Sequence, residues 1–186
     1  ISKGLGALLL ASTEMELLPG LGWARGKKVV MDNYFNRETK KDAFGNAKVF
    51  HYKWGEKDNG GFSMFGHVFE KYGAATSFMN EGPNDANLKG VGVYVLVDPD
   101  WPKENKQPNY IEKGHADALE RFVKNGGTLM LMANDSNNVE FKYFNGLSER
   151  FGIHWNEDMK HDVINNQFEQ GEFPVPAGHP IFKTAK

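Results

Sequence analysis

The sequence contains no cysteine. That excludes disulfides, thiolate metal sites and a cysteine nucleophile together, and it fits reducing and oxidising surroundings equally. Long apolar runs are also missing. The longest near the start, Leu5 to Ala11, falls far short of the about 20 residues that span a bilayer. It also lacks the cationic flank and small-residue cleavage pattern of a signal peptide. No excess of either charge exists: the formal net charge is -2, with Lys and Arg interspersed among Asp and Glu. A nucleic-acid partner and a membrane span are therefore not expected.

Recognisable chemistry motifs are scarce as well. His51, His67, His115, His154, His161 and His179 lack metal-ligand spacing, and no H-E-x-x-H occurs. Gly60-Gly61 precedes a helical pattern, yet no Walker or dinucleotide fingerprint is present, so no cofactor is expected. No G-x-S-x-G elbow exists. His161-Asp162 could pair as base and orienter, but adjacent residues rarely face one point. His115 lies on an apolar helical stripe and is expected to be a half-buried, hydrogen-bonded residue.

What is present is alternation. Val29-Val30-Met31 reads as a buried strand ending at Asp32, and a polar, aromatic loop runs from Asn33 to about Asn59. Phe62, Phe65, Phe69 and Tyr72 form a helical stripe ended by Gly73, and Ala74 to Met79 reads as a strand. Val91 to Val97 is the clearest strand, suited to a sheet covered on both faces. Ile111, Leu119, Phe122 and Val123 mark a helix ended by Gly126-Gly127, then Thr128 to Met132 a strand. Phe144, Leu147 and Phe151 mark a helix stopped at Gly152, with Ile153-His154-Trp155 opening a further strand. Asn156 to Ala177 reads as an irregular excursion. The pattern predicts an α/β fold, a three-layer, doubly wound, mainly parallel sheet over 25–186. Before it, residues 1–24 carry a stripe of Leu5, Leu8, Leu9 and Met15 and a Pro19-Gly20 joint. They suit the last helix of a preceding domain plus a linker, or a helix packed on this domain. Both ends of the chain read as cut, with the domain truncated at its C-terminus.

In open parallel sheets ligands bind beyond the carboxyl ends of the strands. Three strands here end in Asp32-Asn33, Asp98-Pro99-Asp100 and Asn134-Asp135. Together these suit a polar pocket for a sugar or a hard cation. Alternatively Asp98 opens a turn before proline, and Asp135 or Ser136 caps the next helix. The long loop adds Tyr34, Asn36, His51 and Trp54, ring faces and planar polar groups suited to carbohydrate, or equally to pinning the loop. The candidate substrate-binding set is thus Asp32, Asn33, Tyr34, Asn36, His51, Trp54, Asp98, Asn134 and Asp135. In a catalytic variant, Asp32, Asp98 and Asp135 serve as acid, base or metal ligands.

The stretch Phe122-Val123-Lys124-Asn125-Gly126-Gly127-Thr128-Leu129-Met130-Leu131-Met132, with Gly178-His179-Pro180-Ile181, resembles the class I glutamine amidotransferase-like superfamily and its trehalose-utilisation-like branch. The likeness spans about Lys27 to Lys186. Because the amidotransferase cysteine is absent, it does not imply glutaminase chemistry. Asp32-Asn33-Tyr34-Phe35-Asn36, His51-Tyr52-Lys53-Trp54, Gly61-Phe62-Ser63-Met64-Phe65-Gly66 and Val97-Asp98-Pro99-Asp100 look like an accessory domain of unsaturated rhamnogalacturonyl hydrolases. Gly4-Leu5-Gly6-Ala7-Leu8-Leu9-Leu10-Ala11 looks like the terminal helix of their (α/α)6 barrel. Those enzymes hydrate the double bond of unsaturated uronyl groups on pectin fragments. The resemblance implies pectin-derived oligosaccharide and a preceding catalytic domain as partners, in a periplasmic or extracellular setting. The family's catalytic acids would lie upstream of Ile1, so none is carried onto this chain.

Overall fold

The computed structural model describes residues 22–58, 60–134 and 136–158, and the backbone at 163–164, 167–168 and 178. The expected N-terminal helix, Asp135, His161-Asp162 and His179-Pro180-Ile181 lie outside the described residues. The elements are β1 Lys28–Asp32, β2 Thr39–Lys41, β3 Ala47–Val49, α1 Ser63–Lys71, β4 Ala75–Met79 and β5 Val93–Val97. There follow α2 Lys113–Lys124, β6 Thr128–Met132, α3 Phe141–Ser148 with a 3-10 turn Glu149–Phe151, β7 Val163–Ile164 and β8 Gln167–Phe168.

Four strands form a parallel sheet in the order β4-β1-β5-β6. The central strands β1 and β5, rich in valine, are paired on both edges and bury side chains on both faces, while the edge strands β4 and β6 are more exposed. Alternation along β1 and β5 sends Val30, Tyr94 and Leu96 into a cluster with Leu119 and Phe122 of α2 and Phe144 and Leu147 of α3. Val29, Met31, Val95 and Val97 join a second cluster with Phe62, Phe65 and Phe69 of α1. Helices therefore flank the sheet, and the strongest apolar stripes of the sequence cover it.

The short α1 has no side-chain cap at Phe62, so tertiary packing must hold it. Trp54 supplies part of that packing. A Cβ at Gly66 would come within 2.8 Å of Trp54 Cε3. Gly66→Ala should therefore cost about 1–3 kcal/mol through overpacking, read as a lower urea midpoint at unchanged slope. Gly73, at φ +93°, turns the chain from α1 into β4 in the left-handed region where glycine is unstrained.

Four local expectations need correction. The loop after β1 holds an antiparallel hairpin, β2 with β3, closed where the Asp42 carboxylate accepts from the Phe44 and Asn46 amides. The α3 cap is Glu140, whose side chain accepts from Tyr143 N at 2.8 Å, rather than Asp135 or Ser136. Ile153-His154-Trp155 is not a strand. Asn145 intercepts it: its Oδ1 accepts from Trp155 N at 2.8 Å and its Nδ2 donates to Trp155 O at 3.0 Å. One side-chain amide thus occupies the two backbone groups a neighbouring strand would have paired. Within Asn156 to Ala177, β7 and β8 pair antiparallel.

Candidate functional site

Because all four strands of the sheet run the same way, Asp32, Met79, Val97 and Met132 finish on one edge. The loops leaving that edge bring together most of the expected residues. Asp32 is buried. Its Oδ2 accepts from the backbone amides of Phe35 at 2.9 Å and Asn36 at 3.0 Å, and its Oδ1 from the Tyr94 hydroxyl at 2.7 Å. Burial pushes its carboxyl up to about 6, against the lowering effect of these donors and of Lys53. Asp98 leaves β5 at φ +37°. It accepts from Asn134 N at 3.0 Å through Oδ1 and from the Tyr52 hydroxyl at 2.5 Å through Oδ2. Burial, then the neighbouring carboxylates, holds the Tyr52 and Tyr94 hydroxyls well above their ordinary range, so both stay donors.

Asn36 is buried and links the two acids: its Nδ2 donates to Asp98 O at 2.8 Å. Lys53 Nζ donates to Asn36 O at 3.0 Å and to Asn36 Oδ1 at 3.3 Å. Lys53 is 8% exposed. Burial lowers its pKa, while Asp32, Asp100 and Glu56 oppose that shift. Asp100 Oδ2 accepts from Arg37 N at 2.9 Å and Asn105 Nδ2 at 2.8 Å, and burial raises its carboxyl.

The other named residues are also engaged. Asn33 Nδ2 donates to Asn80 Oδ1 at 2.5 Å. Tyr34 packs edge-on against Phe35 and His115, and its carbonyl accepts from Asn109. His51, at φ +61°, pairs through Nδ1 with Glu38 Oε1 at 2.8 Å. Trp54 Nε1 donates to Ser77 O at 2.9 Å, and its ring lies among Phe65, Phe69 and Phe78. Asn134 is exposed and meets the cluster through its amide. His115 is half-buried and accepts from Glu112 N in a capping box.

Chemically, this cluster is a clasp. Asp32, Asp98 and Asp100 all accept from loop amides or phenols, and none of the three lines the cavities of about 520, 320 and 460 Å³. Among the described residues no group of three or more His, Cys, Asp or Glu is arranged to hold a metal ion.

No family model, curated protein or solved structure matches the chain.

The strand ends and the long loop thus point to Asp32 and Asp98 and to two of their partners, Asn36 and Asn134, but not to Tyr94. Tyr94 was legible in principle, since a tyrosine inside an aliphatic strand requires a hydroxyl partner. Lys53 had no such signal, because its burial depends on the loop folding back. Also missed was a cleft on the same edge, lined by Trp101, Tyr110 and Tyr143; of these, Trp101-Pro102 was the available cue.

Proposed function

We propose that this chain is a doubly wound, flavodoxin-like or amidotransferase-like module serving as a non-catalytic accessory domain of a pectin-degrading glycoside hydrolase. It binds carbohydrate or contacts the preceding catalytic domain, in a periplasmic or extracellular setting. The commitment of Asp32 and Asp98 to loop donors carries the non-catalytic part of this reading. A glycosidase acid and base must face the scissile bond. These two face the protein's own amides and phenols.

The doubly wound layout is supported by the strand order. From β1 the chain steps one way to β4 through α1, and from β5 it steps the other way to β6 through α2. The two helices belong to different apolar clusters. Interdomain contact is supported by Met64 and Val68, one turn apart on α1 and 76% and 52% exposed.

The test pairs two measurements on the full chain. With unsaturated rhamnogalacturonan oligosaccharides, loss of the double-bond absorbance should stay at background. Calorimetric titration with rhamnogalacturonan fragments should give heat. Turnover abolished by Asp32→Asn would instead establish a hydrolase using strand-end carboxylates. That second reading has one observation in its favour, the raised Asp32 carboxyl.

A further inference from the structure

A cleft of about 460 Å³ opens between the loop after β5 and the loop after β6, within the ~300–1,000 Å³ range of small-ligand sites. It lies beyond the carboxyl ends of adjacent parallel strands, the usual ligand edge of an open α/β sheet. Its walls carry Trp101, Tyr110 and Tyr143, all half-buried, with Glu140, Lys142 and Glu157.

The aromatic surfaces are held in place. Trp101 Nε1 donates to Asn137 O at 2.8 Å, which fixes the indole while leaving it partly open. Tyr110 and Tyr143 stack at 4.8 Å between centroids and 29° between planes. Glu140 is anchored by its bond to Tyr143 N. Fixed rings lose little freedom on binding, which favours affinity. Cationic groups stand over two of them: Lys103 Nζ is 4.1 Å from the Trp101 ring centroid, and Lys142 Nζ is 5.3 Å from that of Tyr143. Both lysines are exposed, so each can swing aside as a ligand ring approaches.

This combination selects among ligand classes. Aromatic planes suit the apolar C–H face of a sugar ring, and carboxylates accept from its hydroxyls. Glu140 and Glu157 are balanced there by Lys142 and Lys103. Two lysines over the ring faces favour a sugar bearing its own carboxylate. We propose that this cleft binds a uronate-bearing oligosaccharide, with Trp101 and the Tyr110–Tyr143 pair as stacking platforms and Lys103 and Lys142 as partners of the uronate. The assignment rests on the reading of the chain as a carbohydrate-binding module and gives that reading a location away from the Asp32–Asp98 clasp.

The experiment is calorimetric titration of the full chain with trigalacturonate and with a neutral trisaccharide, maltotriose. It compares the wild type with Trp101→Ala, Trp101→Phe, Lys142→Gln and Trp54→Ala, each checked by circular-dichroism melting. Trp101→Ala should weaken trigalacturonate binding about ten- to thirtyfold, the loss typical of a central aromatic anchor. Trp101→Phe should retain most of the affinity. Lys142→Gln, at an exposed position, should cost about two- to fivefold for trigalacturonate and nothing for maltotriose. Trp54→Ala should leave affinity unchanged at temperatures where it is folded. Binding that survives Trp101→Ala and Lys142→Gln would overturn this site while leaving a carbohydrate-binding module intact. Equal affinity for the two trisaccharides would overturn the uronate assignment. No heat from the folded wild type with either sugar would overturn the site and the carbohydrate-binding reading together. If Trp101→Ala fails to fold, Trp101→Phe and Lys142→Gln decide.

Discussion

Asp32→Ala should destabilise the protein by about 3–5 kcal/mol, because it orphans three buried donors at about 1–3 kcal/mol each, partly relieved by local relaxation. The donors are the Phe35 and Asn36 amides and the Tyr94 hydroxyl. Against a typical total of about 5–15 kcal/mol, this loss would be visible in urea melts at acidic pH, where the Asp32 carboxyl is protonated in the folded chain. Asp32→Asn should cost only about 1 kcal/mol, since its oxygen keeps the two amides and its NH2 can donate to Tyr94. The amide variant should also change the pH dependence. In the folded chain Asp32 holds its proton up to about 6, against 3.8 for an unperturbed group. Between those values the folded state binds more protons than the unfolded one. Stability is therefore fully present below 3.8 and declines as pH rises through 6, by about 3 kcal/mol at 1.36 kcal/mol per unit. Asp32→Asn should flatten that slope. Asp117 works with the opposite sign: hydrogen bonds from Lys113 and Arg150 hold it down to about 2, so its contribution is lost only as pH falls below 3.8. The two windows are separable in one titration of urea midpoint against pH. An unchanged slope between pH 4 and 6 in Asp32→Asn would refute the assignment.

Phe35→Ala should cost about 3–5 kcal/mol, the range for emptying a buried phenylalanine site. Phe35 is fully buried although it lies in a loop. Its ring meets Tyr34 at 5.1 Å and His115 at 5.3 Å, both edge-on, and its carbonyl accepts from Asp100 N at 2.9 Å. It is therefore the apolar anchor that holds the first loop against α2 while Asp32 secures the loop backbone. At about 2–4 °C per kcal/mol for a chain of this size, the melting temperature should drop by roughly 6–20 °C. A shift below 3 °C would mean that the loop is not packed as described.

How much of this was legible in the sequence depended on the range of the interaction. The sheet strands and the three helices announced themselves through local periodicity, as in Val93–Val97 and in the Phe62, Phe65, Phe69 stripe. Gly73, Gly126 and Gly152 marked helix ends, and all three adopt positive φ. The failures were non-local. Ile153-His154-Trp155 has a strand's composition, but nothing nearby in sequence reveals that Asn145 captures its backbone. At the site, strand-end acids were identifiable from the strand pattern, whereas their use was not: Tyr52 lies 46 positions from Asp98, and Tyr94 lies 62 from Asp32. The Trp101 cleft depends on two loops meeting, and only its aromatic residues were visible beforehand.

Asp98 has a mechanical consequence. Tyr52, which it holds, packs with the α1 layer, while the Asn134 amide lies just past the end of β6, the strand that α2 leads into. A single carboxylate at a left-handed backbone position thus ties the α1 layer to the loop after β6, alongside the Lys53–Asn36 link between the two apolar layers' loop residues. Loosening one layer costs the other a partner, so the halves should melt as one cooperative unit.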